Sequence, residues 1–497
     1  MTRSHYGLSK SRITAFEQCP KRLWLTVHRP ELAELDPAAQ GRFDTGHIVG
    51  AAACSLYPAG VMVEAEPNLS AALTETGRLI AEGHPGPIFE ATFAHDGVLI
   101  RADVLEREGA GESGEGGWRL AEVKSATGPK DYHLGDLATQ LWVMAESGIT
   151  VSAAAIRHVN RDFVLTREGD YRGLFTDADM FAEASALART RPALVAEARS
   201  VLAGEEPLRE PGDHCKTPFV CEFSVYCSRR LEPEPEWPVT VLPNGGWKKW
   251  AKKGVTDLLE LDEATMAKPR EAMIVAATRS GEPFHDAAGA RKAMAGWAYP
   301  RAWLDFETIS AAVPCWVGTR PYQQVPFQFS LHLEQADGTM THHEFLCCDG
   351  SDPRPACAQA LVEAIPAGAC VIAYNAGFER AVLRALADQV PDHAEALRAM
   401  AESTVDLLPV TREHWYHRDQ RGSWSIKSVL PTIAADLDYA GLEVKDGGMA
   451  QDSFLEAIDP ATTPERRWAL EEALKAYCQR DTWAMVLVAR RLTGVSA

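Results

Sequence analysis

Several stretches of the chain alternate apolar and polar positions with a period of two, the mark of a strand with one face buried. Residues 87–107, PIFEATFAHDGVLIRADVLER, read as two strands around a turn at Asp96 and Gly97, and WRLAEVKSA (118–126) reads as a third. A helical stretch containing HLGDLATQLWVM (133–144) follows. Further on, WLDFET (303–308), VPFQFSLHL (325–333) and THHEFLC (341–347) are rich in aromatic and apolar residues and predict an antiparallel meander. A helix over PACAQALVEAI, a buried strand over ACVIAY and a helix opening near Asn375 come next. From Thr463 to Leu492 apolar residues recur every three to four positions, which predicts one or two closing helices. Strands alternating with helices give an α/β fold class.

The 497 residues exceed one core of usual size. Three prolines and alternating acids in LEPEPEWP (231–238) mark a linker. The expected organisation is a domain at 1–230, a linker and connector of short helices at 231–297, and a second domain at 298–497. There is no internal repeat.

Composition changes this picture little: 46% apolar and 24% charged residues describe an ordinary globular chain. No stretch has the length and apolarity of a signal peptide or membrane helix, so a cytoplasmic protein with no membrane partner is expected. The net charge of −19 argues against a non-specific nucleic-acid coat, yet a local basic channel remains compatible with it. Eleven cysteines in an intracellular chain point to metal ligation or free thiols.

Asp305 and Glu307 stand two apart on a predicted strand, so both carboxylates share one face of the sheet. Glu379 follows the later buried strand, and Asp481 lies on the closing helix. Four acids converging from three elements would hold divalent metal for attack on a phosphodiester. This series resembles the three motifs of DEDD exonucleases, the RNase H-like fold of DnaQ-type and RNase D-type enzymes. The matching residues are Asp305-x-Glu307, Asn375-x-x-x-Glu379 and Tyr477-x-x-x-Asp481. The resemblance implies Mg2+ or Mn2+ ligation by the carboxylates and a tyrosine, Tyr477, that positions or deprotonates the attacking water. Position 476, where a histidine subtype would carry its base, is alanine. Glu379 departs from the aspartate usual at that place. Asp406 and Lys427 resemble segments between the second and third motifs; a capping acid and a solvated lysine are the ordinary alternatives.

In the first domain Asp103 lies on the second strand, while Glu122 and Lys124 share a face of the third. Two carboxylates can grip a metal while the ammonium offsets developing negative charge. This set looks like the PD-(D/E)XK nuclease motif, with Gln140 resembling the glutamine that follows it in RecB-type nucleases. By the same resemblance Glu90 is an earlier acidic helper and His47 a metal ligand. Cys19 far upstream and Cys215, Cys221 and Cys227 downstream are similar to the four cysteines that staple RecB-like domains around a 4Fe-4S cluster. Their C-x5-C-x5-C spacing departs from the more common two and five, and zinc is the rival occupant.

The sequence reading is therefore a two-domain α/β protein. It joins a RecB-like PD-(D/E)XK domain carrying an iron-sulfur staple to a 3′-to-5′ exonuclease domain of RNase H-like fold, and resembles an uncharacterised bacterial family that fuses the two. The expected function is metal-dependent hydrolysis of nucleic acid, DNA in preference to RNA. The alternatives are an RNA 3′-end exonuclease with a non-catalytic first domain, and a nucleic-acid-binding adaptor. The interleaved Trp247, Lys248, Lys249, Trp250, Lys252 and Lys253 fit either a strand-binding surface or a solvated helix with core tryptophans. His342 and His343 read as an exposed pair.

Overall fold

A computed structural model describes residues 7–34, 37–65, 68–108, 117–229, 234–437 and 439–495, with only the backbone at 37–40. Positions 231–233 of the expected linker lie outside the described residues. The chain is mixed α/β and divides into two compact units, 1–232 with 311–323, and 233–310 with 324–497.

The first unit is built on a seven-stranded sheet among the described residues. Its strands are β1 (Leu8–Ser9), β2 (Val61–Met62), β3 (Ile88–His95), β4 (Val98–Arg107), β5 (Trp118–Lys124), β6 (Val151–Val159) and β7 (Phe175–Asp179). The path runs β2-β3-β4-β5-β6-β7, and β1 pairs with β4. The hairpin at Asp96 and Gly97 forms as its sequence requires: both residues have positive φ, 43° and 63°, the conformation that aspartate and glycine tolerate best. β5 and β6 are parallel, so the chain must cross over between them, and the helix Asp131–Glu146 makes that crossover. This helix buries Leu137, Leu141, Val143 and Met144 in a core with Leu105, Leu120 and Ile156. The segment 311–323, which falls between two strands of the second unit, belongs to the first. Its Ala312 and Val313 pack with Val159, Phe163 and Leu165, and Gly318 N donates to the Leu165 carbonyl at 2.7 Å.

In the second unit β8 (Phe284–His285) pairs with β14 (Trp415–Tyr416). The main sheet has the order β11-β10-β9-β12-β13, formed by β9 (Arg301–Ile309), β10 (Val325–Glu334), β11 (Met340–Leu346), β12 (Cys370–Ala373) and β13 (Val405–Asp406). The predicted meander is present: β9, β10 and β11 are antiparallel, whereas β12 and β13 run parallel to β9. Alternation along β9 sorts its side chains. Ala302, Leu304 and Phe306 enter a core with the helices Pro353–Ala364 and Gly377–Gln389, and Trp303 enters the core on the other face, beside Met485 and Val486. The closing segment forms a single helix, Pro464–Thr493, capped by Thr463 and ended by Gly494 at φ 76°.

Residues 234–297 differ from the expected bridging connector. Trp237, Val239, Leu258, Ile274, Val275 and Trp297 are buried in the same core as Trp303, Ile372 and Trp415. Apolar residues scattered among short helical turns show no period, so their common burial has no local signature.

Candidate functional site

On β9 the face shared by Trp303 continues with Asp305 and Glu307, and the helix Pro464–Thr493 lies over it. Ligand oxygens of Asp305, Glu307 and Asp481 all lie within 4.8 Å of one another. Thr482, next to Asp481, fixes the helix to the sheet through Ser330 at 2.7 Å and His332 at 2.9 Å, and Ser330 is the cross-strand neighbour of Asp305. The expected histidine pair is split: His342 bonds Ser330 at 3.0 Å and packs its ring 4.7 Å from His332, while His343 is exposed.

Charge is expensive here. Burial first, then the charges of Asp481, Glu307 and Glu379, raise the Asp305 pKa well above the ordinary carboxylate range. Burial and Asp481 push Glu307 up to about 8, and burial raises Asp481 as well. Glu379, on the helix Gly377–Gln389, is buried and pushed up to about 8, first by burial and then by Asp406. It is near enough to act on Asp305 and Glu307 but stands outside the close trio, and its Oε2 is a buried oxygen without a hydrogen-bond partner. The trio could hold a metal ion.

Tyr477 lies beside the trio, on the same helix as Asp481. Burial, then the charges of Asp481, Glu307 and Asp305, drive the Tyr477 pKa upward. Its hydroxyl accepts from Lys427 Nζ at 3.0 Å, and that ammonium also donates to the Lys445 carbonyl at 2.7 Å. Lys427 thus belongs to the site. Asp406, by contrast, caps: its Oδ1 accepts from Leu408 N at 2.9 Å and from Asn375 N at 3.0 Å, holding Asn375 at a positive φ of 71°. Sequence reading missed Tyr439, which donates to Asp481 Oδ1 at 2.5 Å, and Cys478, whose Sγ lies 3.9 Å from Asp305 Oδ2. Nothing local marks Tyr439; Cys478 is detectable only as the residue one turn before Thr482 on the same helix face.

In the first unit the structure brings together Asp103, Glu122, Lys124 and Gln140. Lys124 Nζ donates to Glu122 Oε1 at 2.8 Å and to Asp136 Oδ2 at 2.9 Å; Gln140 Nε2 donates to Glu122 Oε2 at 2.7 Å; Val123 N donates to Asp103 Oδ2 at 2.7 Å. Lys10, from the helix after β1, adds a bond to Glu122 Oε1 at 2.5 Å. Burial opposes ionisation of Glu122, but Lys10 and Lys124 outweigh it and hold the carboxyl far below its usual range. Asp103 moves the opposite way, up to about 7, because burial and the Glu122 charge dominate. Glu90 adds to the charge that raises Asp103, has a positive φ of 55° and pairs with Arg101 at 3.0 Å. His47 is exposed on the helix Pro37–Ser55 and takes no part in the cluster of bonds around Glu122. Lys10 and Asp136 were missed. Asp136 stands one turn before Gln140 on the same helix face, a spacing that identifies it.

Cys19, Cys215, Cys221 and Cys227 line one small, partly open pocket in the first unit, although almost two hundred residues separate the first from the rest. All four are free thiols. No three of these sulfurs approach within 4.8 Å of one another. Tetrahedral zinc needs thiolates about 3.8 Å apart, from its Zn–S distance of roughly 2.3 Å.

Residues 302–425 match a family described as a domain of unknown function, DUF2779. An uncharacterised protein of Mycoplasma pneumoniae is 28% identical over 214 residues, covering 38% of this chain and 31% of its own length. The chain thus spans about a third of that relative. No solved structure matches. Among the described residues, no helix is long and apolar enough to cross a membrane.

Proposed function

We propose that the protein is a metal-dependent nuclease: its second unit is a DEDD-type 3′-to-5′ exonuclease of RNase H-like fold and its first a RecB-like PD-(D/E)XK domain. The observation that carries this reading is the trio of carboxylates, half-buried Asp305 with buried Glu307 and Asp481, within 4.8 Å on the central strand and closing helix, with the unpartnered Glu379 oxygen beside them. The donor set suits Mg2+ or Mn2+, which take carboxylate oxygens. When bound, such an ion supplies a nucleophilic hydroxide and neutralises charge on the phosphate. Tyr477 would orient the attacking water through its hydroxyl, and Lys427 would place positive charge beside the scissile phosphate.

In the first unit Asp103 and Glu122 would hold metal, with Gln140 fixing the Glu122 carboxylate. Lys124 is held strongly protonated by Glu122 and Asp136 against the cost of burial, so it would act as a fixed charge and not as a base. The four free cysteines lining one pocket support a 4Fe-4S cluster, with zinc as the rival occupant.

Incubating the full chain with DNA and RNA oligonucleotides labelled at the 5′ end tests the hydrolase reading. Shortening from the 3′ end in Mg2+ or Mn2+, stopped by EDTA, supports it; substrates left intact in both metals would sink it. DNA is the expected preference, and faster shortening of RNA would assign the unit to RNA trimming. Anaerobic purification is expected to yield brown protein with about four irons per chain, bleached in Cys221→Ser. Colourless protein carrying one zinc would replace the cluster.

A further inference from the structure

The second unit carries a basic surface outside the carboxylate site. Lys248, Lys249, Lys252 and Lys253 fall within six residues on and just after the short helix Lys248–Ala251, all exposed, in a chain of net charge −19. Only Lys249 meets an acid, Glu271 at 3.4 Å; among the described residues Lys248, Lys252 and Lys253 form no ion pair. The tryptophans between them order these lysines. Lys249 and Lys253 lie 5.0 and 4.9 Å from the centre of the Trp250 ring, and Lys248 lies 6.0 Å from that of Trp247. Both rings pack against the core, so the cations stand on a rigid base and base stacking on Trp250 is not the use the structure makes of it.

Contacts through buried side chains lead from these lysines toward the segment that carries Lys427. Glu271, 2% exposed, bonds Lys249 and also Lys268 at 2.9 Å; its neighbour Arg270 lies 5.6 Å from the ring centre of Trp424. Three residues beyond Trp424 is Lys427, whose ammonium bonds Tyr477 inside the carboxylate site. The loop lies so close to Glu271 that a Cβ on Gly246 would fall 2.4 Å from Oε1, which pins the lysine helix to the helix carrying Arg270.

We propose that the surface of Lys248, Lys249, Lys252, Lys253 and Arg270 binds the phosphate backbone of a single-stranded nucleic acid. The binding surface stands apart from the nuclease reading. Recognition by fixed ammonium groups is independent of base sequence and strongly salt-dependent, with about 0.7 counterions released per phosphate neutralised on a single strand.

The test is fluorescence anisotropy in EDTA with dT20, U20 and a 20-base-pair duplex, using the full chain and the Lys248→Gln/Lys252→Gln/Lys253→Gln variant. Thermal melts check folding, and single substitutions at each exposed lysine provide independent variants. The triple variant is expected to bind either single strand at least tenfold more weakly, with a log–log salt slope shallower by about two. A single-strand affinity unmoved by the substitutions, or a parent that prefers the duplex, overturns the proposal. Because EDTA prevents hydrolysis, a chain that binds through these lysines but never shortens a strand keeps the surface and loses the nuclease reading. One that shortens strands with affinity indifferent to the lysines loses the surface alone.

Discussion

Asp305→Asn is expected to slow metal-dependent shortening of a labelled strand by the second unit about 10³-fold or more, the order lost when one preorganised electrostatic group is removed from a reaction centre, while making the metal-free protein more stable. The two effects have one cause. Asp305, Glu307 and Asp481 lie within 4.8 Å; Glu307 and Asp481 are buried and Asp305 is half-buried. Unit charges at that separation repel by roughly 3 kcal/mol at an effective dielectric constant near 20. Part of that cost is escaped by taking up protons, which is why Glu307 moves to about 8. An amide of the same shape carries no charge, so the variant in EDTA is expected to gain about 1–2 kcal/mol. For a unit of this size that is roughly 3–6 °C in its melting transition. Adding Mg2+ or Mn2+ should reverse the order: an ion at a hundred times its dissociation constant stabilises the parent by about 2.7 kcal/mol. The variant should respond little. Calorimetry with and without metal, beside the strand-shortening assay, reads both. A variant that melts lower than the parent in EDTA and responds equally to metal would show that the trio is ordinary structure.

This coupling bears on how much of the site was legible beforehand. Asp305 and Glu307 were legible because a strand has period two, and their shared face follows from spacing alone. Tyr477 and Asp481 were legible because four residues make one helical turn. Glu379 was placed near the right strand end, and the structure adds that it stands back from the trio. The sheet and its meander followed from alternation. What escaped depends on contacts between remote segments that impose no local pattern. Tyr439 reaches Asp481 across 42 positions and Lys10 reaches Glu122 across 112, from stretches without strong periodicity. The segment 311–323 joins the first unit for a similar reason: its anchors, Ala312 and Val313, find apolar partners only in the folded state. Residues 234–297 read as a connector because their buried tryptophans and aliphatics sit singly among turns, where periodicity is silent.

Lys124→Met is expected to remove whatever nucleolytic activity the Asp305→Asn protein retains and to destabilise the first unit by roughly 3 kcal/mol, the scale for breaking a buried ion pair on one side. Lys124 is the shared donor between Glu122 and Asp136, on β5 and the crossover helix, so its ammonium both orients the site and ties two elements of the unit together. Methionine matches the length of the stem but not the charge. Glu122 would retain Lys10 and Gln140, whereas Asp136 would keep only the Thr14 hydroxyl at 2.9 Å. The loss should therefore be felt most at Asp136, and Lys124→Met/Asp136→Asn should recover much of the stability without recovering activity. Stability and chemistry separate in that comparison. Denaturant unfolding of the three proteins, with residual cleavage measured on the Asp305→Asn background, gives both quantities. Activity restored together with stability in the double variant would reduce Lys124 to a structural tie. Activity absent while stability returns assigns it the positive charge at the reacting phosphate, as its strongly protonated state requires.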